Sequence, residues 1–158
     1  MHGKTAQASG IIEKLKEGFL VRFQTFDEIR SALEEIFSPK AMSVILYTVA
    51  IKCGKGSCNR VMKKVKTKEE AINHLCDLKR EENWGKLSFQ NVDLENGSGT
   101  VIVVDSFETT GRKTDEPCCH LLRGFLEGFL SELFKKSIMV SEEKCAGRGD
   151  EHCEFVFK

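Results

Sequence analysis

The C-terminal third places the strongest constraint on the fold. Cys119 stands at the head of an apolar segment, and Glu142, Cys145 and Cys153 follow close to the C-terminus. Three thiols and a carboxylate are soft and borderline donors that together suit a tetrahedral zinc ion. A closed site of that kind would pin a helix to a terminal hairpin.

The segment around these donors has readable local structure. Thr114-Asp-Glu-Pro117 has the polar residues and proline that begin a helix. Leu121, Leu122, Phe125, Leu126, Phe129, Leu130, Leu133 and Phe134 continue it, to about 135, with a broad apolar face. Cys118 and Cys119 then fall in its first turn, where free amides and the helix dipole favour a thiolate. Gly124 and Gly128 leave this helix locally bare, so another backbone or a flat ligand can approach closely.

Ile138 to Cys145, a turn at Gly147-Arg-Gly-Asp150, and Cys153 to Phe157 read as a β-hairpin. A turn centred on Gly149 sets Cys145 opposite Cys153, with β-carbons about 4.5 to 5.5 Å apart. That suits two ligands of one ion and, with adjustment, a disulfide. In a regular strand, residues three apart point to opposite faces. Glu142 therefore needs a bulge to join Cys145, and strict alternation favours Glu143.

Before this region the pattern is mainly helical. Residues 1–10 are polar and read as a flexible tail, followed by a short helix from Ile11 to near Gly18. Thr25-Phe-Asp-Glu28 has the form of a capping box, and Phe26, Ile29, Leu33, Ile36 and Phe37 behind it form a stripe expected to face the core. Pro39 ends that helix and can begin another, with Ala41 to Ile51 apolar on nearly every face. Gly54 and Gly56 mark a helix break or a close backbone approach, after which Val61, Met62 and Val65 suggest a second helix with a basic face. A second capping box, Thr67-Lys-Glu-Glu70, opens a helix carrying His74 and Cys76. After Asn83, alternating apolar residues, the turn signal Asn96-Gly-Ser-Gly99 and the β-branched run to Val104 read as an antiparallel hairpin.

Composition narrows the classes. Lys plus Arg and Asp plus Glu are 24 each, so the balance gives no general electrostatic reason to bind nucleic acid or an anionic membrane. Ala41 to Ile51 falls far short of the roughly 20 residues of a membrane span. Met1 to Ser9 lacks the apolar core of a signal peptide, and the expectation is a cytoplasmic protein. Seven cysteines in such a compartment point to metal ligands or buried thiols ahead of disulfides. Cys53-Gly-Lys-Gly-Ser-Cys58 fails the phosphate-loop spacing and has no matching second cysteine pair.

The string Glu142-x-x-Cys145-x-x-x-Gly149-Asp150-x-x-Cys153-x-Phe155, preceded by a cysteine at the head of a helix carrying Gly124 and Gly128, resembles the 4-vinyl reductase domain family. Ser106-Phe107-Glu108 also matches a stretch that the family shows after its central strand. The resemblance spans residues 101–158; before that it concerns element order alone. It implies zinc ligands at Cys119, Glu142, Cys145 and Cys153, with Cys118 a neighbour able to replace Cys119. It also implies an α+β fold of the type shared by nitric-oxide sensors and a Golgi-transport subunit: a four-stranded antiparallel sheet of two hairpins packed with helices. Residues 11–158 would form one such domain, of the stand-alone archaeal type.

The function this implies is binding or sensing a small apolar or aromatic ligand beside a structural zinc ion. Trp84, Phe89, Phe107, Phe125 and Phe129 are the candidate lining residues, chosen for aromatic bulk on elements that should converge between sheet and helices. Two other classes stand beside it. One is a reductase, or an accessory subunit, acting on a vinyl-bearing tetrapyrrole, although no dinucleotide fingerprint or catalytic triad spacing is present. The other is a homodimeric adaptor using the apolar segment 41–51.

Overall fold

Ser38 and Pro39 divide the first two helices of the computed structural model, which describes residues 22–158. The tail over 1–10 and the expected helix from Ile11 lie outside the described residues. α1 (Phe23–Phe37) ends where Ser38 turns to a φ of 104°, and the Ser38 side chain then accepts a hydrogen bond from the Ala41 amide. Pro39 occupies the first position of α2 (Pro39–Val61), where its missing amide hydrogen is no loss. The Thr67 capping box is present: Thr67 Oγ1 accepts from the Glu70 amide, and the Glu70 carboxylate accepts from the Thr67 amide, opening α3 (Lys68–Glu81).

Three helical expectations are corrected. The Thr25 box does not form, because the Phe26 amide already donates to the Arg22 carbonyl at 3.1 Å; the helix starts two residues before Thr25. Nor does the α1 stripe enter the core. Among the described residues none of α1 is buried, and Ile36 is 71% exposed. Gly54 and Gly56 do not break α2, which runs unbroken to Val61; no separate basic helix follows.

α2 continues because Gly54 serves a close approach. A β-carbon built on Gly54 would lie 2.1 Å from the Phe125 carbonyl oxygen of α4 (His120–Phe134). One on Gly124 would lie 2.2 Å from the Tyr47 oxygen. These glycines let the two helices meet backbone to backbone. Only one face of α2 is covered: Met42, Leu46 and Ala50 are buried, whereas Val44 and Val49 are exposed.

The sheet is antiparallel throughout, in the order β1 (Lys86–Asp93), β2 (Ser98–Val104), β4 (Cys153–Phe157), β3 (Val140–Lys144). Each hairpin is local in sequence, and β2 joins β4 across the centre, with Val101 opposite Phe155. Alternation sends Val101, Val103, Cys153, Phe155 and Phe157 to the inner face, where all five are buried with Phe129 and Leu130 of α4. α4 begins at His120, later than the expected start near 116. Cys119 is therefore its N-cap residue, and Cys118 precedes the helix.

Candidate metal centre and adjoining cleft

The terminal hairpin holds the bulge that Glu142 requires. Glu142 pairs with Phe155 and Lys144 with Glu154, so Glu143 is an extra residue on β3. Glu142 thus shares the face of Phe155 and Cys153, while Glu143 is exposed and accepts from Ser141 Oγ at 2.5 Å. After Lys144 the chain enters a 3₁₀ turn (Ala146–Arg148) that ends at Gly149 with φ 103°. Asp150 Oδ2 accepts from the Cys145 amide at 2.8 Å and closes this loop.

Folding brings Cys119, Glu142, Cys145 and Cys153 together, with one ligating atom from each within 4.8 Å of all the others. Cys119 Sγ and Cys153 Sγ are 3.6 Å apart. Tetrahedral coordination at 2.3 Å per sulfur separates two sulfurs by about 3.8 Å. The Cys119 amide donates to Glu142 Oε2 at 3.0 Å, whereas Glu142 Oε1 is buried without a hydrogen-bond partner. A cation beside Oε1 would supply what that oxygen lacks. Cys118 stays outside this group of four. Its thiol lies 3.9 Å from the Glu108 carbonyl and 3.7 Å from Cys145 Sγ.

The electrostatics point the same way. Hydrogen bonds from Cys118, Cys119 and Cys153 pull the Cys145 thiol far below its ordinary range, while bonds with Cys118, Cys145 and Cys153 push Cys119 far up. Burial raises the Glu142 carboxyl to about 8. Hydrogen bonding therefore sustains one thiolate, at Cys145. Deprotonating the remaining donors calls for a positive charge, which a divalent ion provides.

Two acidic and hydroxyl groups beside the cluster were not singled out as site residues by sequence reasoning. Glu108 is buried, and its carboxylate accepts from the Leu121 and Leu122 amides at 3.0 and 2.7 Å, closing the first turn of α4. Ser106 Oγ lies 3.6 Å from Cys119 Sγ. The motif Ser106-Phe107-Glu108 was the one available signal, and nothing in its composition announces burial.

A cleft of about 790 Å³ opens between α2, α3 and α4, not between sheet and helices as expected. Trp84 and Phe125 form its aromatic wall, with ring centroids 5.2 Å apart. The remaining candidate lining residues lie elsewhere. Phe107 packs between Trp84 and Phe26, Phe129 lies in the core beneath Phe125, and Phe89 meets Phe157 on the sheet. Lys79 and His74 on α3 also reach the cleft. Leu121 and Phe125 belong to the helix that Cys119 caps, so one rigid element carries both a cluster donor and a cleft wall.

The sequence model of the 4-vinyl reductase domain matches residues 100–158, the stretch that carries three of the sheet's four strands, α4 and the whole cluster. Those residues are a 4-vinyl reductase domain. An uncharacterized protein of Methanocaldococcus jannaschii is 40% identical over 76 residues, covering 46% of this chain; the chain spans about a third, 33%, of that protein. Among solved structures, the phenol-responsive sensory domain of the transcription activator PoxR, with phenol, superposes with a TM-score of 0.80 at 20% identity, covering 89% of this chain and 76% of that one. A vinyl-4-reductase family protein from Methanocaldococcus jannaschii gives 0.66 at 23% identity, covering 92% and 86%. Trafficking protein particle complex subunit 3 from Naegleria fowleri, covalently bound to palmitic acid, gives 0.65 at 11% identity, covering 86% and 91%. These likenesses establish the fold of the 4-vinyl reductase domain and of the helices before it. No helix among the described residues is long and apolar enough to cross a membrane.

Proposed function

We propose that this chain binds and senses a small, largely apolar or aromatic molecule in the cleft between α2, α3 and α4, and that a structural zinc ion on Cys119, Glu142, Cys145 and Cys153 fixes the helix forming one wall. The observation that carries this reading is the shared helix: Cys119 caps α4, and Leu121 and Phe125 on that helix line the cleft. Phenol in the PoxR domain and palmitic acid in the Naegleria subunit support a fold that takes apolar or aromatic guests. Four protein donors leave a tetrahedral ion no open position, so its chemistry here is structural. The residues do the positioning: Glu142 ties β3 to the Cys119 amide, and Cys145 and Cys153 tie the hairpin to α4. A reducing compartment such as the cytoplasm keeps such thiols available to metal.

A panel of aromatics and fatty acids tests the reading by thermal unfolding. A ligand at 100 times its Kd stabilises by about 2.7 kcal/mol. Members that fill the cleft raise Tm, and Cys53→Trp, an exposed position at the cleft, removes the rise. No rise across the panel contradicts it.

A homodimer is the second reading, favoured by the exposed apolar residues Ile29, Ile36 and Phe37 of α1 and Val44 and Val49 of α2. Sedimentation that gives a concentration-independent monomer removes it.

A further inference from the structure

The aromatic wall of the cleft carries a buried cation. Lys79 is 3% exposed, and its Nζ lies 3.7 Å from the Trp84 ring centroid and 3.9 Å from that of Phe125. It donates to Glu82 Oε2 at 2.7 Å, and the Glu82 side chain is 41% exposed. Arg60, Lys64 and His74 line the same cleft, where Glu82 is the one acidic residue among the described lining residues. The surplus of basic side chains is local, since the whole chain is balanced at 24 of each sign.

Resting on the cleft reading above, we infer that the preferred ligand is an organic monocarboxylate whose carboxylate replaces that of Glu82 on Lys79 while its aromatic or alkyl body lies along Trp84 and Phe125. Glu82 already shows that a carboxylate fits Lys79 from this side. Because Glu82 is half exposed it can turn into water, whereas Lys79 is fixed between two rings. The exchange keeps a buried ammonium paired, so no uncompensated charge is created. The apolar body then covers ring surface that water now reaches. Arg60 and Lys64 add long-range attraction for an incoming anion. A neutral ligand gains the apolar contact alone. A phosphate monoester brings a second negative charge that a single buried ammonium leaves unmatched.

Titration calorimetry with 2-naphthoate, its neutral counterpart 2-naphthylmethanol and 2-naphthyl phosphate tests this on the wild type, Lys79→Met, Lys79→Arg and Glu82→Gln. The expected result is naphthoate binding at least ten-fold tighter than the alcohol and the phosphate in wild type. Lys79→Met removes that preference while alcohol binding persists, Lys79→Arg keeps part of it, and Glu82→Gln, which frees Lys79 from its competitor, strengthens it. Should Lys79→Met fail to fold, the wild-type ratio and Glu82→Gln still decide. The alcohol binding as tightly as naphthoate overturns the carboxylate inference and leaves the cleft reading standing, and tighter phosphate binding overturns it as well. Binding of none of the three overturns both.

Discussion

Gly128 lies so close to Ile51 that a β-carbon built on it would fall 2.0 Å from the Ile51 carbonyl oxygen. Backbone cannot yield as a side-chain tip can, so Gly128→Ala must push α2 and α4 apart along the wall of the cleft. A loss of about 3 kcal/mol is expected in urea unfolding. Gly56→Ala is the control, since its new methyl meets the flexible end of Arg60 at 3.3 Å. In a helix interior that change is neutral or stabilises by up to about 1 kcal/mol. Equal effects at the two sites would contradict the close approach.

Tyr47 is the single tyrosine of the chain, so its ionisation can be followed alone by ultraviolet absorbance. Its hydroxyl donates to Glu127 Oε1 at 2.5 Å, and Glu127 Oε2 accepts from the Val140 amide, joining α2, α4 and β3. Partial burial first, and then the hydrogen bond to Glu127, raise the phenol to about 12 from an ordinary value near 10. The neutral phenol is the form the fold prefers. Its stabilisation is therefore complete below pH 10 and fades as pH rises toward 12. Ionisation at 10 in the folded protein contradicts this linkage, and Tyr47→Phe is expected to flatten the alkaline fall in stability.

The bulge on β3 separates two neighbouring glutamates by function. Glu142→Gln removes a donor and is expected to weaken zinc binding at least about ten-fold. Glu143→Gln, on the exposed face, leaves it unchanged. Competition with a chromophoric chelator measures both. A larger loss at Glu143 would place the strand in the opposite register.

Most of the terminal clamp was legible because its parts are local: a hairpin, a turn at Gly149, and a helix beginning near Cys119. The donor set still rested on family resemblance at Glu142, because regular alternation favours Glu143 and a bulge leaves no composition signal. The Thr67 box was readable from four residues, yet the same pattern at Thr25 misled, since the helix had already begun at Phe23. Long-range facts were out of reach. Nothing near Gly54 says that Phe125 will lie against it, and nothing in the sequence around Lys79 says that Trp84 and Phe125 will enclose its ammonium. The stripe on α1 shows the converse limit: periodicity marks an apolar face without saying whether core or solvent meets it.

The central claim is that Cys119, Glu142, Cys145 and Cys153 form a metal clamp beside the cleft. Native mass spectrometry of the purified protein, with Cys153→Ser alongside, tests it most directly. About one zinc per chain is expected in the wild type, with the metal and much of the thermal stability lost in the variant. Metal-free wild type that does not take up added zinc, or a Cys153→Ser protein that retains both zinc and stability, would contradict the account.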